Sequence, residues 1–270
     1  INLVGWRTTW AVLGLIILVL ALPLTYFIMR DRPQDLGLLP DGDTEPSSED
    51  GKKPVRVPRA PLESESWLES FRSFPIWQLS GAYFVCGFTT ALISAHFVPF
   101  AIDAGYSPAM AASAFGVMSG LNVAGVVLAG AMGDQFGRKN LLALVYALRG
   151  GAYVILLLAP GLLGLWGFAI VAGFSWLATV PLTTSLTADV YGLRNIGILG
   201  GIIFTSHQIG GAISIQLGGV LRDFTGSYTI PFVIAGLLLV IASLVSFSLR
   251  ESKYSARYQI VPTQPTPHGA

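Results

Sequence analysis

Charged residues divide this sequence into long apolar runs. Uncharged stretches extend from Thr8 to Met29, Ser73 to Ile102, Ala104 to Gly133, Gly150 to Ala188, Asn195 to Leu221 and Phe224 to Leu249. A helix needs about 20 apolar residues to cross a hydrocarbon core about 30 Å thick, so each run predicts at least one crossing. The run from Gly150 joins Asn140 to Leu148 across Arg149 alone, and the block fits two helices hinged at Ala159-Pro160-Gly161. The predicted crossings are Trp10 to Met29, Pro75 to Ala101, Ala109 to Met132, Asn140 to Ala159, Leu162 to Thr187, Asn195 to Leu221 and Ile230 to Leu249. Pro75, Ser107-Pro108 and Pro160-Gly161 sit where helices begin or end.

The polar remainder is concentrated. Residues 30–72 hold 17 of the 31 Lys, Arg, Asp and Glu side chains, including Asp41-Gly-Asp-Thr-Glu-Pro-Ser-Ser-Glu-Asp50. Such a segment buries too little apolar surface to offset its ordering entropy, so residues 30–74 predict a linker with a disordered middle. A short amphipathic helix on the membrane surface is expected over Leu62 to Phe74. A mobile tail is expected over residues 251–270, which carry Pro262, Pro265 and Pro267. The chain opens at Ile1 without methionine, and its first apolar run lacks a basic leader and a small-residue cleavage site. A fragment is expected, and no cleavable signal.

Composition agrees with the pattern: 53% of residues are hydrophobic, 11% are charged and mean hydropathy is +0.64. This is the profile of a membrane protein. A net charge of +1 excludes a nucleic-acid binder that relies on a basic face. A lone cysteine, Cys86, excludes a disulfide framework and a Cys-based metal site and reads as a small buried thiol. With no strand there is no nucleotide-binding glycine loop, and no cofactor or metal is implied. The pairs Gly116/Gly120, Gly197/Gly201 and Gly211/Gly218 predict close helix packing instead.

Threading seven crossings through a bilayer collects 13 of the 16 Lys and Arg on one side. They lie in the linker, the Met132 to Asn140 loop, the Asp189 to Arg194 loop and the tail. By the positive-inside rule that side is cytoplasmic, which puts Ile1 outside and Ala270 inside, with the plasma membrane as the expected location.

The loop Gly130-Ala-Met-Gly133-Asp134-Gln-Phe-Gly137-Arg138-Lys139 resembles the G-x3-D-x2-G-R-[RK] signature of the major facilitator superfamily, in the copy between the eighth and ninth helices. Arg32-Pro-Gln-Asp-Leu-Gly-Leu-Leu-Pro-Asp41-Gly42 resembles the segment after the sixth helix in bacterial relatives of the monocarboxylate transporters. Leu186-Thr-Ala-Asp189-Val-Tyr-Gly192, Gln208-Ile-Gly-Gly211 and Asp223-Phe-Thr-Gly-Ser-Tyr228 look like that family's second-half pattern. The resemblance implies an all-α polytopic membrane protein with the major facilitator fold, one extra helix plus the six-helix C-terminal half. Residues 1–29 would be the last helix of the first half, 30–74 the cytoplasmic central linker, and 75–250 the second half. It implies a secondary transporter of a small organic solute, with a carboxylate anion as one candidate. The cycle would be alternating access coupled to an ion gradient, and the partners the lipid bilayer, the solute and the missing N-terminal half.

Several residues are candidates for a solute or proton pathway. Arg149 lies about ten residues inside its crossing, where a charge is costly and usually functional. It would attract an anion or pair with a carboxylate of the missing half; alternatively it snorkels or bonds helix carbonyls. Relatives carry Tyr-x2-Arg here, matched by Tyr146 and Arg149. His96 and His207 can take up a proton near neutral pH or serve as neutral hydrogen-bonding groups, and Gln208 accompanies His207. Asn122 stands where relatives place an aspartate, with Val126 in place of their arginine four residues on, so that pair is not carried over. Trp176, Thr179, Thr183 and Thr184 form with Pro181 a polar, kinked stretch expected within one helix. Gly130, Asp134, Gly137, Arg138 and Lys139, together with Asp189 and Arg194, are expected to form a cytoplasmic gating latch. A non-transporting receptor or a truncated, inactive half-transporter is the alternative. A membrane-embedded enzyme is disfavoured, because only His96 and Asp103 bring a His and an Asp near each other in sequence, with no repeated set or nucleophile.

Overall fold

The computed structural model describes residues 5–28, 60–255 and 258. The chain divides into two units, Ile1–Arg56 and Val57–Ala270. In the first, α1 (Gly5–Ile28) is apolar on every face, as a helix surrounded by lipid or by other helices would be, and carries Pro23 inside it. The linker residues 30–59 lie outside the described residues.

In the second unit a 3₁₀ turn (Trp67–Arg72) precedes α2 (Phe74–Asp103), α3 (Pro108–Phe136), α4 (Arg138–Leu158), α5 (Gly161–Ser175), α6 (Thr179–Tyr191), α7 (Ile196–Thr225), α8 (Thr229–Ser248) and a final turn, α9 (Glu251–Tyr254). α5 and α6 are two pieces of one crossing, Gly161–Tyr191, so the unit crosses six times and the described chain seven. The helix punctuation works as expected: Pro75 and Pro108 occupy first turns, and the Ser107 hydroxyl accepts the Met110 N–H at 3.2 Å.

Four local expectations are corrected. The Met132 to Asn140 loop is almost entirely helical: only Gly137, at φ 90°, separates α3 from α4, a conformation that glycine alone adopts without strain. The amphipathic helix over Leu62 to Phe74 is a 3₁₀ turn tied to the end of α6, through Leu62 N–H to the Val190 carbonyl at 3.1 Å and Ser73 Oγ to the Tyr191 hydroxyl at 2.6 Å. The tail is ordered at its start, because the buried Glu251 carboxylate accepts the Arg138 and Lys139 N–H groups, each at 3.1 Å. That caps the first turn of α4, whose own residues supply no side-chain cap. Finally, two of the three glycine pairs expected to mediate close packing have nothing packed on them among the described residues. A Cβ at Gly116, Gly120, Gly197 or Gly201 would meet no atom within 4 Å.

Other glycines do that work alongside Gly211 and Gly218. α2 packs chiefly on α7, and a Cβ at Gly87 would run into the His207 carbonyl, one at Gly210 into the Phe84 carbonyl, and one at Gly218 to 2.8 Å from Leu92 and His96. α3 meets α5 in the same way, Gly125 against the Phe174 backbone and Gly173 2.9 Å from the Met118 carbonyl. An aromatic cluster fills the interior between α2, α4, α5 and α8: Phe97 stacks on Phe168 at 5.2 Å, and Tyr153 stands edge-on to Phe168 and Phe232 at 5.7 and 5.8 Å.

Gly87→Ala is therefore expected to destabilise the unit by about 1–3 kcal/mol, the usual cost of overpacking. Gly116→Ala should leave the melting temperature unchanged or raise it, since alanine is the better helix former. Thermal unfolding of the purified variants in detergent checks both, and equal melting temperatures would show that the α2–α7 crossing is not fixed by glycine.

Candidate functional site

The residue that organises the unit's interior is Arg149, only 2% exposed. On α4 it shares one face with Tyr146 and Tyr153, at spacings of three and four residues. The Tyr146 hydroxyl donates to the Ala82 carbonyl at 2.8 Å and the Tyr153 hydroxyl to the Thr89 carbonyl at 3.1 Å, both on α2. Between them Arg149 Nη1 donates to Thr89 Oγ1 at 3.3 Å and Cys86 Sγ at 3.6 Å. Its Nε donates to the Ser175 carbonyl at 3.1 Å, and its Nη2 to the carbonyls of Ser175 and Trp176.

Those two carbonyls are the reason for the arginine. α5 ends at Ser175 and α6 begins at Thr179, so Trp176 to Ala178 is an unwound turn inside a crossing. The last carbonyls of α5 lose their intrahelical donors and present the negative end of its dipole, which a cation offsets. On the other side of the turn the Leu177 N–H is taken by Asn122 Oδ1 at 2.9 Å, from α3, and Thr179 Oγ1 lies 3.0 Å from Cys86 Sγ. Among the described residues Arg149 makes no ion pair. The carbonyl bonding expected as one alternative for Arg149 is present. The polar stretch expected as one kinked helix is a true break, five residues upstream of Pro181 at its first carbonyl.

Trp176 lies at this break, its ring edge-on to Phe115 at 5.5 Å. Its indole N–H is buried and has no acceptor among the described residues; the Thr183 hydroxyl on α6 is in the same state. His207 sits at the α2–α7 seam, with Nδ1 3.1 Å from Gln208 Oε1, Nε2 3.5 Å from Thr90 Oγ1 and its ring 4.8 Å from Tyr83. The α2 turn from Cys86 to Thr90 thus touches both the Arg149 group and the histidine. His96 stands apart: Nε2 lies 3.0 Å from the Ile215 carbonyl on α7 and its ring 5.4 Å from Tyr228. Tyr153, Thr89, Cys86 and Ser175 were not singled out from the sequence as site residues. Only Tyr153 left a signal, as a further polar group seven residues from Tyr146 on an otherwise apolar face.

At one end of the unit, Arg138 joins three helices. It pairs with Asp134 of α3 at 2.9 Å and with Asp189 of α6 at 2.5 Å, and it donates to the Ser185 carbonyl at 3.3 Å. Gly133 brings α3 close to α6, where a Cβ would stand 2.8 Å from Leu182 Cδ2. Gly130 faces open space. Lys139 donates to the Phe247 carbonyl at 3.2 Å and lies over that residue's ring. Arg194 does not join the cluster as expected: it pairs at 3.4 Å with Glu65, in the segment before α2, because the turn after Gly192 carries it away from Arg138.

The profile described as Major Facilitator Superfamily matches residues 1–215. The chain belongs to the major facilitator superfamily. It is 30% identical over 269 residues to the "Uncharacterized MFS-type transporter YcxA" of Bacillus subtilis, covering 95% of this chain and 60% of that protein. It is 25% identical to "Monocarboxylate transporter 12" of Rattus norvegicus, covering 95% of this chain and 56% of that one. The chain therefore spans somewhat under two thirds of these superfamily relatives. Among solved structures it resembles a bacterial homologue of the human lysosomal transporter Spinster, with a TM-score of 0.58 and 20% identity over 96% of this chain and 61% of that one. It also resembles the transporter FucP in its outward conformation, with a TM-score of 0.57 and 18% identity over 89% of this chain and 53% of that one. These confirm the major facilitator fold.

Arg149→Ala would leave the Ser175 and Trp176 carbonyls buried without donors. It is expected to cost about 2–4 kcal/mol, more than Asn122→Ala, which strands one N–H. Arg149→Lys, which keeps charge but not the forked donor geometry, should recover part of the loss. Melting temperatures of the three variants test this ranking, and an unshifted Arg149→Ala would mean that the break is held by something else.

Proposed function

We propose that this chain is the larger part of a secondary transporter that moves a small organic anion of the carboxylate class by alternating access, coupled to an ion gradient. Residues 1–29 are the last helix of the first half, 30–74 the central linker, 75–250 the second half and 251–270 the tail. The reading rests above all on the α5–α6 break, a discontinuous crossing of the kind that forms binding sites in such transporters. In addition, the Trp176 indole and the Thr183 hydroxyl are buried donors without acceptors among the described residues, which a solute oxygen would satisfy. The names of the monocarboxylate transporter relatives and the fixed cation at Arg149 favour an anion. The Gly116/Gly120 face of α3 and the Gly197/Gly201 face of α7, where an added Cβ would meet none of the described residues, suit the docking of a first half. His207, half-buried at the α2–α7 seam, is the proton carrier in this scheme.

Reconstitution of the full-length gene product into liposomes tests the reading. Counterflow of a labelled short monocarboxylate, accelerated by an inward proton gradient and lost in His207→Ala, is expected. Binding of the acid without flux would establish a receptor instead.

The same scheme seats the protein in the plasma membrane with linker and tail in the cytoplasm. Cys86 is buried, so labelling that appears with Ser48→Cys and is absent without it reports on the linker. It should react with a membrane-impermeant maleimide only after permeabilisation, and labelling of intact cells would reverse the orientation.

A further inference from the structure

A furrow of about 390 Å³ runs between α4 and α8. Its walls include Ala147, Gly151, Val154, Leu237, Val240 and Leu244, and all but the first two are large, well-exposed apolar side chains. The furrow holds no unused polar group: the Ser243 hydroxyl on its wall is spent on the Ala143 carbonyl at 2.8 Å. Along α8 it extends from Phe232 to Leu244, about 18 Å at 1.5 Å per residue, somewhat more than one leaflet of a core about 30 Å thick. A slot of that length and polarity, at the depth of the hydrocarbon, accommodates one extended acyl chain.

The two ends of the furrow differ. One turn beyond Leu244, Lys139 bridges to the Phe247 carbonyl, which leaves two of its three ammonium protons for other acceptors. Arg250 and Lys253 follow α8 within a few residues and are exposed. The acidic residue among them, Glu251, is buried and committed to the N–H groups of Arg138 and Lys139. The rim at this end is therefore cationic where the furrow reaches the interface, and at that depth a lipid carries its phosphate. We propose that the α4–α8 furrow is a binding site for a single anionic phospholipid, with one acyl chain in the slot and the headgroup on Lys139 and its basic neighbours.

Native mass spectrometry of the purified full chain titrated with phosphatidylglycerol and with phosphatidylcholine of the same acyl chains tests the site. One adduct that prefers phosphatidylglycerol is expected. Lys139→Gln should weaken it about fivefold, the effect of one interfacial cation, and weaken binding of the zwitterionic phosphatidylcholine less. Gly151→Leu should abolish it by filling the slot. A Cβ at Gly151 meets no atom within 4 Å, and an unchanged melting temperature of Gly151→Leu separates loss of the slot from loss of the fold. Equal binding of the two lipids, or undiminished binding to Gly151→Leu, would overturn the proposal. A phosphatidylglycerol with a photoreactive acyl chain gives a readout that needs no variant. Adducts on residues 147–157 and 232–244 are expected, whereas adducts elsewhere, or cross-links from this face to a second copy of the chain, refute the assignment.

Discussion

A transmembrane helix satisfies its own backbone, so any place where one breaks leaves polar groups in a medium that offers them nothing. The α5–α6 crossing breaks at Trp176 to Ala178, and the rest of the unit is arranged to meet that debt. Arg149 comes from α4 to the exposed carbonyls and Asn122 from α3 to the exposed N–H, while Cys86 and Thr89 of α2 hold the far side of the guanidinium. A buried guanidinium facing a carboxylate would have to recover two desolvation penalties. Facing a helix C-terminus it recovers one, against dipoles that are already fixed in place. The five donors of arginine suit this arrangement, since the acceptors are scattered over a turn rather than held on one group.

The same principle governs how closely helices approach. α2 and α7 lie backbone against backbone at Gly87 and Gly210, and there the Thr90 hydroxyl turns back to the Cys86 carbonyl, while the Ser206 hydroxyl donates both to the Ile203 carbonyl of its own helix and to the Ser80 carbonyl of α2. α4 is joined to α2 differently, by two tyrosine hydroxyls on carbonyls. At the ends, where water is near, charges take over. Arg138 gathers α3, α4 and α6, and on the opposite end Arg222 pairs with Asp103 at 2.8 Å.

Much of this was legible in the sequence and some was not, for definite reasons. The crossings follow from where charge is missing, which a bilayer enforces, and their ends from Pro75, Pro108 and Gly161. Arg149 stood out because a lone charge in an apolar run needs an explanation. Its partners did not, because they are carbonyls, and a carbonyl belongs to every residue alike. The break was misplaced for the same reason: Pro181 marks a missing N–H, whereas the carbonyls that Arg149 takes up belong to Ser175 and Trp176, six and five residues earlier. Gly116 and Gly120 have the right spacing and face open space, since spacing fixes which glycines share a face and not what that face meets. Glu251 was read as tail because its function lies in two N–H groups more than a hundred residues away.

These ties also constrain how the unit moves. Arg149 to Ser175, Asn122 to Leu177, Tyr146 to Ala82 and Arg138 to Asp189 all join residues inside the 60–255 segment, and none reaches outside it. A motion that reshaped the α5–α6 break would have to expose several of these groups to hydrocarbon at once, at about 1–3 kcal/mol for each one stranded. A motion that rocks the six crossings as one body leaves every tie intact. The surfaces free to exchange neighbours in such a motion are those with little packed against them, the Gly116/Gly120 face of α3 and the Gly197/Gly201 face of α7, where backbone lies bare to whatever arrives. Rigidity at the break and open glycine faces at the flanks are thus complementary: the first keeps the unit's interior in one arrangement, and the second gives its outside somewhere to slide.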